Sequence, residues 1–517
     1  MRNLTRFVVL LGACLLARPI LAAEPLVTVE TGQLRGVADG EIDVFRAVPF
    51  AAPPVGELRW RAPQAPKVWD GVRDATAVGP RCPQENRWAT FAPGPMSEDC
   101  LYLNIWAPRG GTKLPVMVWI HGGGYATGSG TMKLYDGKAL AKKGVILITI
   151  NYRLGRLGFF AHPALKAEHD AHYPDEPMGL YGILDQIAAL QWVQRNIAAF
   201  GGDPVNVTVF GESAGGGSIS MMMVSPLAKG LFARAISQSG GSAVTDETFM
   251  ETSLPQRPSA MLLAQAFVKL EGLPDAIDAK GLRALPVDLL LKRQLAGRGW
   301  PFVDGTIVPE PVAKMFAEGR QHSVPFLLGA NSLEGEMGRV GADVLERIAP
   351  DVSRDQLEAL YGKKPEKWIA QQWMGDSRAL AGAKFQAANM ARAGGATGGA
   401  GAPAYLYFMS YVTQKWREDY QGVRHADDLP YVFLALQKFE TGAVAADYRV
   451  SDQMASYWTN FAKTGDPNGD GLPRWEPYRA DTDNWFEIGY TIGHKPGLLA
   501  ARMDFHIARF KEKAGIR

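Results

Sequence analysis

The sequence predicts an α/β protein built on a large, mostly parallel β-sheet covered by helices on both faces. Three observations predict it. Short apolar or β-branched runs recur along the chain, helical patterns lie between them, and the runs themselves are apolar nearly throughout. Strands that alternate with helices favour a parallel sheet, and a sheet covered on both sides needs strands that are apolar on both faces.

The runs are, in order, VMVWI (116–120), VILITI (145–150), VNVTVF (205–210), AISQS (235–239), FLLGA (326–330) and YLYF (405–408). Each has the length and residue types of a buried strand. Between the second and third lies GILDQIAALQWVQRNI, in which Ile183, Ile187, Leu190 and Ile197 fall on one helical face. AGGGSISMMM, after the third, reads as a buried helix. In open sheets of this kind ligands bind beyond the carboxyl ends of the strands, so residues there are the ones to search for chemistry.

The chain has 517 residues, 47% of them hydrophobic, enough for a large core. Its first residues are a basic MRNLTR, an apolar FVVLLGACLLA and a small-residue ILAA before Glu24, the pattern of a secretory signal peptide over residues 1–23. A lipid-modified Cys14 fits less well, because apolar LLARPILAA would directly follow it. Export to a periplasmic or extracellular location follows. No later stretch reaches about 18 uninterrupted apolar residues, so no stable membrane insertion is expected. Composition shows no seam in residues 24–517, which are read as one domain. The glycine-rich GGATGGAGAP (394–403) reads as a surface loop between apolar elements.

The full chain carries a formal charge of +2, and losing Arg2, Arg6 and Arg18 with the leader brings it near −1. Nothing there calls for a nucleic-acid partner. Of the three cysteines, Cys82 and Cys100 survive removal of the leader. An even pair in an oxidising compartment predicts a disulfide, worth about 3 kcal/mol through loop entropy for a loop of this length.

Chemistry centres on FGESAGG (210–216). Ser213 stands between a strand pattern and a helix pattern, with Gly211 and Gly215 flanking it. A nucleophile at a sharp strand-to-helix turn needs glycines where strand and helix approach, and the helix amino terminus favours developing negative charge. A serine hydroxyl also needs a histidine base, and the base needs a carboxylate. His322, His425, His494 and His506 follow Ser213. With the chain order serine, acid, histidine, His425 in GVRHADDLPYVF is the best candidate base. FLLGANSLEGEMG offers Glu334 and Glu336 just past a strand end, and composition barely separates them; the glycine after Glu334 favours it. VMVWIHGGGY leaves the amides of Gly123 and Gly124 bare for an oxyanion, with Ala214 a third donor.

Two patterns mimic metal sites. EHDAHYPDE (168–176) holds His169 and His172 among carboxylates but reads as a polar surface insertion, and DPNGDG (466–471) lacks the glutamate that closes a calcium loop. No metal is assigned to either.

These residues resemble those of the type-B carboxylesterases, the α/β-hydrolase family that includes the cholinesterases and bacterial para-nitrobenzyl esterases. The resemblance spans nearly the whole mature chain through SEDCLYLNIW (97–106), HGGGY (121–125), NYRLGRLGF (151–159), FGGDPVNVTVFGESAGG (200–216), GANSLEG (329–335), GVRH (422–425) and YWTNFAKTGDPN (457–468). It implies an α/β-hydrolase fold with helical lid-like insertions and a Ser213, Glu334, His425 triad. It also implies Gly123, Gly124 and Ala214 as oxyanion donors, a Cys82 to Cys100 bridge, and a role for Glu212 in tuning the field around the histidine. The substrate implied is a small-molecule ester, hydrolysed without a cofactor.

The short disulfide loop and the lack of a tryptophan in QSGGSAVTDETF (238–249) depart from the cholinesterases, and Trp88 is not a clear match to their choline-binding residue. In the variable stretch from about 245 to 300, expected to build helices over the site, LKRQLAGRGW carries Lys292, Arg293 and Arg298. These cations suit an acidic acyl group of the tricarballylate type found in fumonisins, though a solvated helix face is the plainer reading. Lactonase, amidase and acyltransferase chemistry use the same residues, and a catalytically silent binding protein is the alternative from another class.

Overall fold

The computed structural model describes residues 24–85, 92–241, 244, 248–255, 257–292, 300–337, 344–392, 401–439 and 442–516. The leader, Trp88, Arg293, Arg298 and residues 394–400 of the glycine-rich loop lie outside the described residues.

The strands are β1 (Leu26–Val29), β2 (Gly32–Arg35), β3 (Val37–Asp39), β4 (Ile42–Pro49), β5 (Val72–Asp74), β6 (Tyr102–Pro108), β7 (Leu114–Ile120), β8 (Ile146–Ile150), β9 (Gly202–Glu212), β10 (Arg234–Gln238), β11 (Phe326–Asn331), β12 (Ala404–Met409), β13 (Asn484–Ile488) and β14 (Ile492–Pro496). Strands β1, β2 and β5 make a small sheet, and the other eleven make the central one in the order β14-β13-β12-β11-β10-β9-β7-β8-β6-β4-β3. From β13 through β8 every neighbour is parallel, while the pairs β13/β14, β8/β6, β6/β4 and β4/β3 are antiparallel. The sheet is the mostly parallel one expected, and all six expected strands are in its parallel part.

Alternation along β7 shows why both faces are covered. Val116, Val118 and Ile120 join one apolar cluster with Ile183, Ile187 and Leu190 of helix Tyr181–Asn196. Met117 and Trp119 join the opposite cluster with Met454, Trp458 and Phe461 of helix Ala445–Thr464. A strand with apolar residues on both faces can be satisfied only between two helical layers.

Buried arginines fasten the peripheral segments to this frame. Arg153 forks onto Asp185 of helix Tyr181–Asn196, with Nε and Nη2 donating at 2.8 and 2.7 Å. Arg59 donates to the carbonyls of Arg283 and Leu285, and Arg156 to those of Leu290 and Lys292. These bonds anchor helices Ala279–Arg283 and Val287–Leu291 of the variable stretch. The disulfide joins Cys82 and Cys100 with their Cα atoms 5.0 Å apart. Among the described residues no helix is long and apolar enough to cross a membrane.

Candidate active site

Strand order places the site. β9 and β8 lie on opposite sides of β7, so the chain reverses its winding direction there. That reversal leaves a crevice at the carboxyl ends of β7 and β9. β9 runs through Glu212, two residues further than VNVTVF suggested, because Glu212 still pairs with Gln238 of β10. Ser213 follows at once and caps helix Ala214–Met222 with φ 56° and ψ −121°. A non-glycine residue is held in that region only where its surroundings impose it. Here the Ser213 amide donates to the Gln238 carbonyl at 2.9 Å, and a Cβ on Gly215 would lie 2.0 Å from the Ile120 carbonyl oxygen. The close approach of helix to β7 is thus what glycine permits.

Past β7, Gly123 has φ +111° and Gly124 φ +62°. A Cβ on Gly123 would lie 2.3 Å from the Thr127 carbonyl. The amides of Gly123, Gly124 and Ala214 donate to no other group among the described residues. His121, at the start of the loop, is fully buried, stacks on Tyr152 and bonds the Gly122 carbonyl through Nδ1 at 2.8 Å. Burial holds its pKa down at about 4, so it stays neutral as part of the scaffold.

The expected triad residues come together from three loops. His425 Nε2 accepts from Ser213 Oγ at 2.8 Å, and His425 Nδ1 donates to Glu334 Oε2. Glu334 begins the turn Glu334–Met337, just past the end of β11. Its other oxygen, Oε1, accepts from the Asn331 amide and from Ser239 Oγ, both at 2.6 Å. Both oxygens are therefore used, and the carboxylate has a single orientation. Glu336, the alternative acid, makes neither contact.

Two further carboxylates lie behind the histidine. Glu212 Oε1 is 3.1 Å from His425 Nε2 without the geometry of a directed hydrogen bond. Burial pushes its pKa up to about 8, with Asp428 and Glu334 adding to the rise and His425 opposing it. Burial alone would lower His425, but the charges of Glu212 and Glu334 and the hydrogen bond it donates to Glu334 outweigh it and raise its affinity for a proton. Glu212 and His425, 3.1 Å apart, therefore titrate as a coupled pair. Asp428 is completely buried and pushed up to about 6 by that burial, while Asn331 and Gln238 hydrogen bonds oppose the rise. It accepts from Gln238 Nε2 at 2.5 Å and Asn331 Nδ2 at 3.1 Å, and Trp458 Nε1 donates to Gln238 Oε1 at 3.0 Å.

Ser239, Asn331, Gln238 and Asp428 escaped the sequence reading. Gln238 and Asn331 end strands β10 and β11 and Ser239 follows β10, so a search of every strand end would have found those three; Asp428 follows His425 by three residues. His169 is paired with Asp170 and the Glu176 carbonyl near the end of helix Pro163–His172, whose last turn lies within the stretch read as a polar surface insertion. Asp466 Oδ1 accepts from the amide and side chain of Asn468, closing the turn expected there. Lys292 lies 3.5 Å from Glu271.

The sheet order and the serine turn at its switch point define an α/β-hydrolase. The Carboxylesterase family profile matches residues 23–360 and 343–506. The sequence is 36% identical over 514 residues to fumonisin B1 esterase of Sphingopyxis macrogoltabida, covering 91% of this chain and 87% of that protein. It is also 36% identical over 484 residues to para-nitrobenzyl esterase of Bacillus subtilis (strain 168), covering 88% and 93% respectively. A solved PNB esterase superimposes with a TM-score of 0.77 at 33% identity over 93% of this chain and all of the other. The chain belongs to the carboxylesterase family and is a carboxylic ester hydrolase.

Proposed function

We propose that the protein is an exported serine carboxylesterase in which Ser213 is the nucleophile, His425 the general base and then acid, and Glu334 the carboxylate that orients the imidazole. The observation that carries this reading is His425 bonded on one side to Ser213 Oγ at 2.8 Å and on the other to Glu334. Ser213 Oγ attacks the ester carbonyl while its proton passes to His425 Nε2. The carbonyl oxygen, now an anion, is received by the amides of Gly123, Gly124 and Ala214. His425 then gives the proton to the departing alcohol, leaving an acyl ester on Ser213. Water enters, loses a proton to His425 and attacks the acyl carbon, and collapse of the second oxyanion releases the carboxylic acid and restores Ser213. The leader-like pattern of residues 1–23 and the Cys82 to Cys100 bridge fit an oxidising compartment outside the cytoplasm.

The relative named for fumonisin B1 supports a second reading for the acyl group, a polycarboxylic ester. Lys292, one of the cations considered for it, is engaged by Glu271 and has 59% of its side chain exposed. A simple apolar acyl chain is therefore the first substrate to test. Mature protein and Ser213→Ala, both checked for folding, are assayed on p-nitrophenyl esters of increasing chain length and on tricarballylate esters. The expected result is turnover that falls by about 10⁴-fold or more in the variant. Undiminished activity of folded Ser213→Ala would move the nucleophile elsewhere.

A further inference from the structure

Behind the acid loop lies a buried polar cluster that the chemistry above does not use. Helix Glu366–Gly375 runs into a π-helical turn at Asp376–Leu380 and continues as helix Ala381–Met390. Such a turn inside a helix is costly and tends to occur where function requires it. Here it begins at Asp376, which is 1% exposed. Arg502 of the final helix, Ala500–Lys513, donates to both Asp376 oxygens at 2.7 Å and to Gln372 Oε1 at 2.6 Å. Tyr361 Oη donates to Asp376 at 2.8 Å and meets His506 Nε2 at 2.8 Å.

The cluster ends on the loops that carry the acid and the base. Gln372 Nε2 donates to the Ser332 carbonyl at 3.0 Å. Ser332 Oγ accepts from the Val423 amide at 2.9 Å, and the Leu333 amide donates to the Val423 carbonyl at 2.8 Å. Ser332 is thus tied on one side to the loop of Glu334 and on the other to the loop of His425. The same helix also abuts the acid directly: a Cβ on Gly375 would lie 3.1 Å from Glu334 Cβ, and one on Gly335 would lie 1.9 Å from the Gln371 carbonyl.

Resting on the triad reading above, we propose that Gln372 and Gly375, braced by Arg502 and Asp376, are positioning residues that set the Glu334 to His425 distance from behind. Neither touches substrate. Their role is to fix a carboxylate whose displacement by a fraction of an ångström weakens the bond to the imidazole.

The test compares Gln372→Leu, which loses the donor to Ser332, and Gly375→Ala, which presses on Glu334, with two controls. Arg509→Ala removes the surface pair of the same final helix with Asp351, and Ser213→Ala reports whether the triad reading holds at all. kcat, KM, thermal midpoint and the pH dependence of kcat/KM are measured on a p-nitrophenyl ester. Both positioning variants are expected to lose at least about tenfold in kcat with KM within about twofold, since small misplacements near a reacting centre cost that much. Glu212, Glu334 and Asp428 are titratable groups that act on His425. Loosening Glu334 removes part of what favours the imidazolium, so the acid limb of the profile should move to lower pH in the variants and stay put in Arg509→Ala. The proposal is overturned if kcat and the acid limb match wild type while only the thermal midpoint falls, provided Ser213→Ala is dead. Should Gly375→Ala not fold, Gln372→Leu decides alone.

Discussion

Ser213, His425 and Glu334 are held by different kinds of force. Ser213 is set by the backbone, through a strained turn that glycines on either side make possible. Glu334 is set by its own hydrogen bonds, with Asn331 and Ser239 on one oxygen and His425 on the other. His425 is set by charge, because three buried carboxylates surround it. Only a neutral imidazole can take the serine proton, so kcat/KM should rise with pH through the ionisation that His425 shares with Glu212. Glu212→Gln removes a negative charge that favours the imidazolium. The acid limb should therefore shift to lower pH, by about one unit for a buried charge at this separation. A profile unmoved by the substitution would show that Glu212 is neutral throughout the working range.

At the scale of elements, the elbow between β9 and helix Ala214–Met222 depends on backbones meeting closely. Ile120 of β7 sits opposite Gly211 in register, and its carbonyl occupies the space a side chain at 215 would need. Gly215→Ala is expected to cost at least about 2 kcal/mol, because neither strand nor helix can retreat without breaking the sheet. Urea unfolding of the purified variant measures this, and a midpoint equal to wild type would mean the helix has room to shift. The antiparallel flank shows the opposite limit of sequence reading. β3, β4 and β6 were absent from the expected strands, and β4 explains why: its apolar residues are interrupted by Asp43 and Arg46, its register slips between Phe45 and Val48, and Ala47 has φ 51°. A bulged strand has no clean period to detect.

For the whole molecule, the disulfide closes a loop against the first strands of the central sheet, with Asn151 Nδ2 donating to the Cys100 carbonyl at 3.1 Å. Its removal frees the unfolded chain more than it alters the site. The double variant Cys82→Ser/Cys100→Ser should lose about 3 kcal/mol of stability while keeping most of its activity at 25 °C. Denaturant unfolding with parallel assays separates the two effects, and a loss of activity without a loss of stability would place the loop in the site.

Much of this protein was readable from its residues in order. Apolar runs of strand length between helical patterns determined the parallel sheet, because burial on both faces demands apolar residues at every position. GES after a strand and HGGG after another marked the two turns in which the proposed nucleophile and oxyanion donors lie, because such turns tolerate few other residues. Which of Glu334 and Glu336 meets His425 was open to composition, and the path of the chain brings Glu334 to it from the end of β11. Asp428, Gln238, Asn331 and the cluster of Gln372, Asp376 and Arg502 were decided by the tertiary structure alone. They are ordinary polar residues until folding removes water and gives each a fixed partner, and the energy of a buried hydrogen bond depends on that partner, which residue order does not specify.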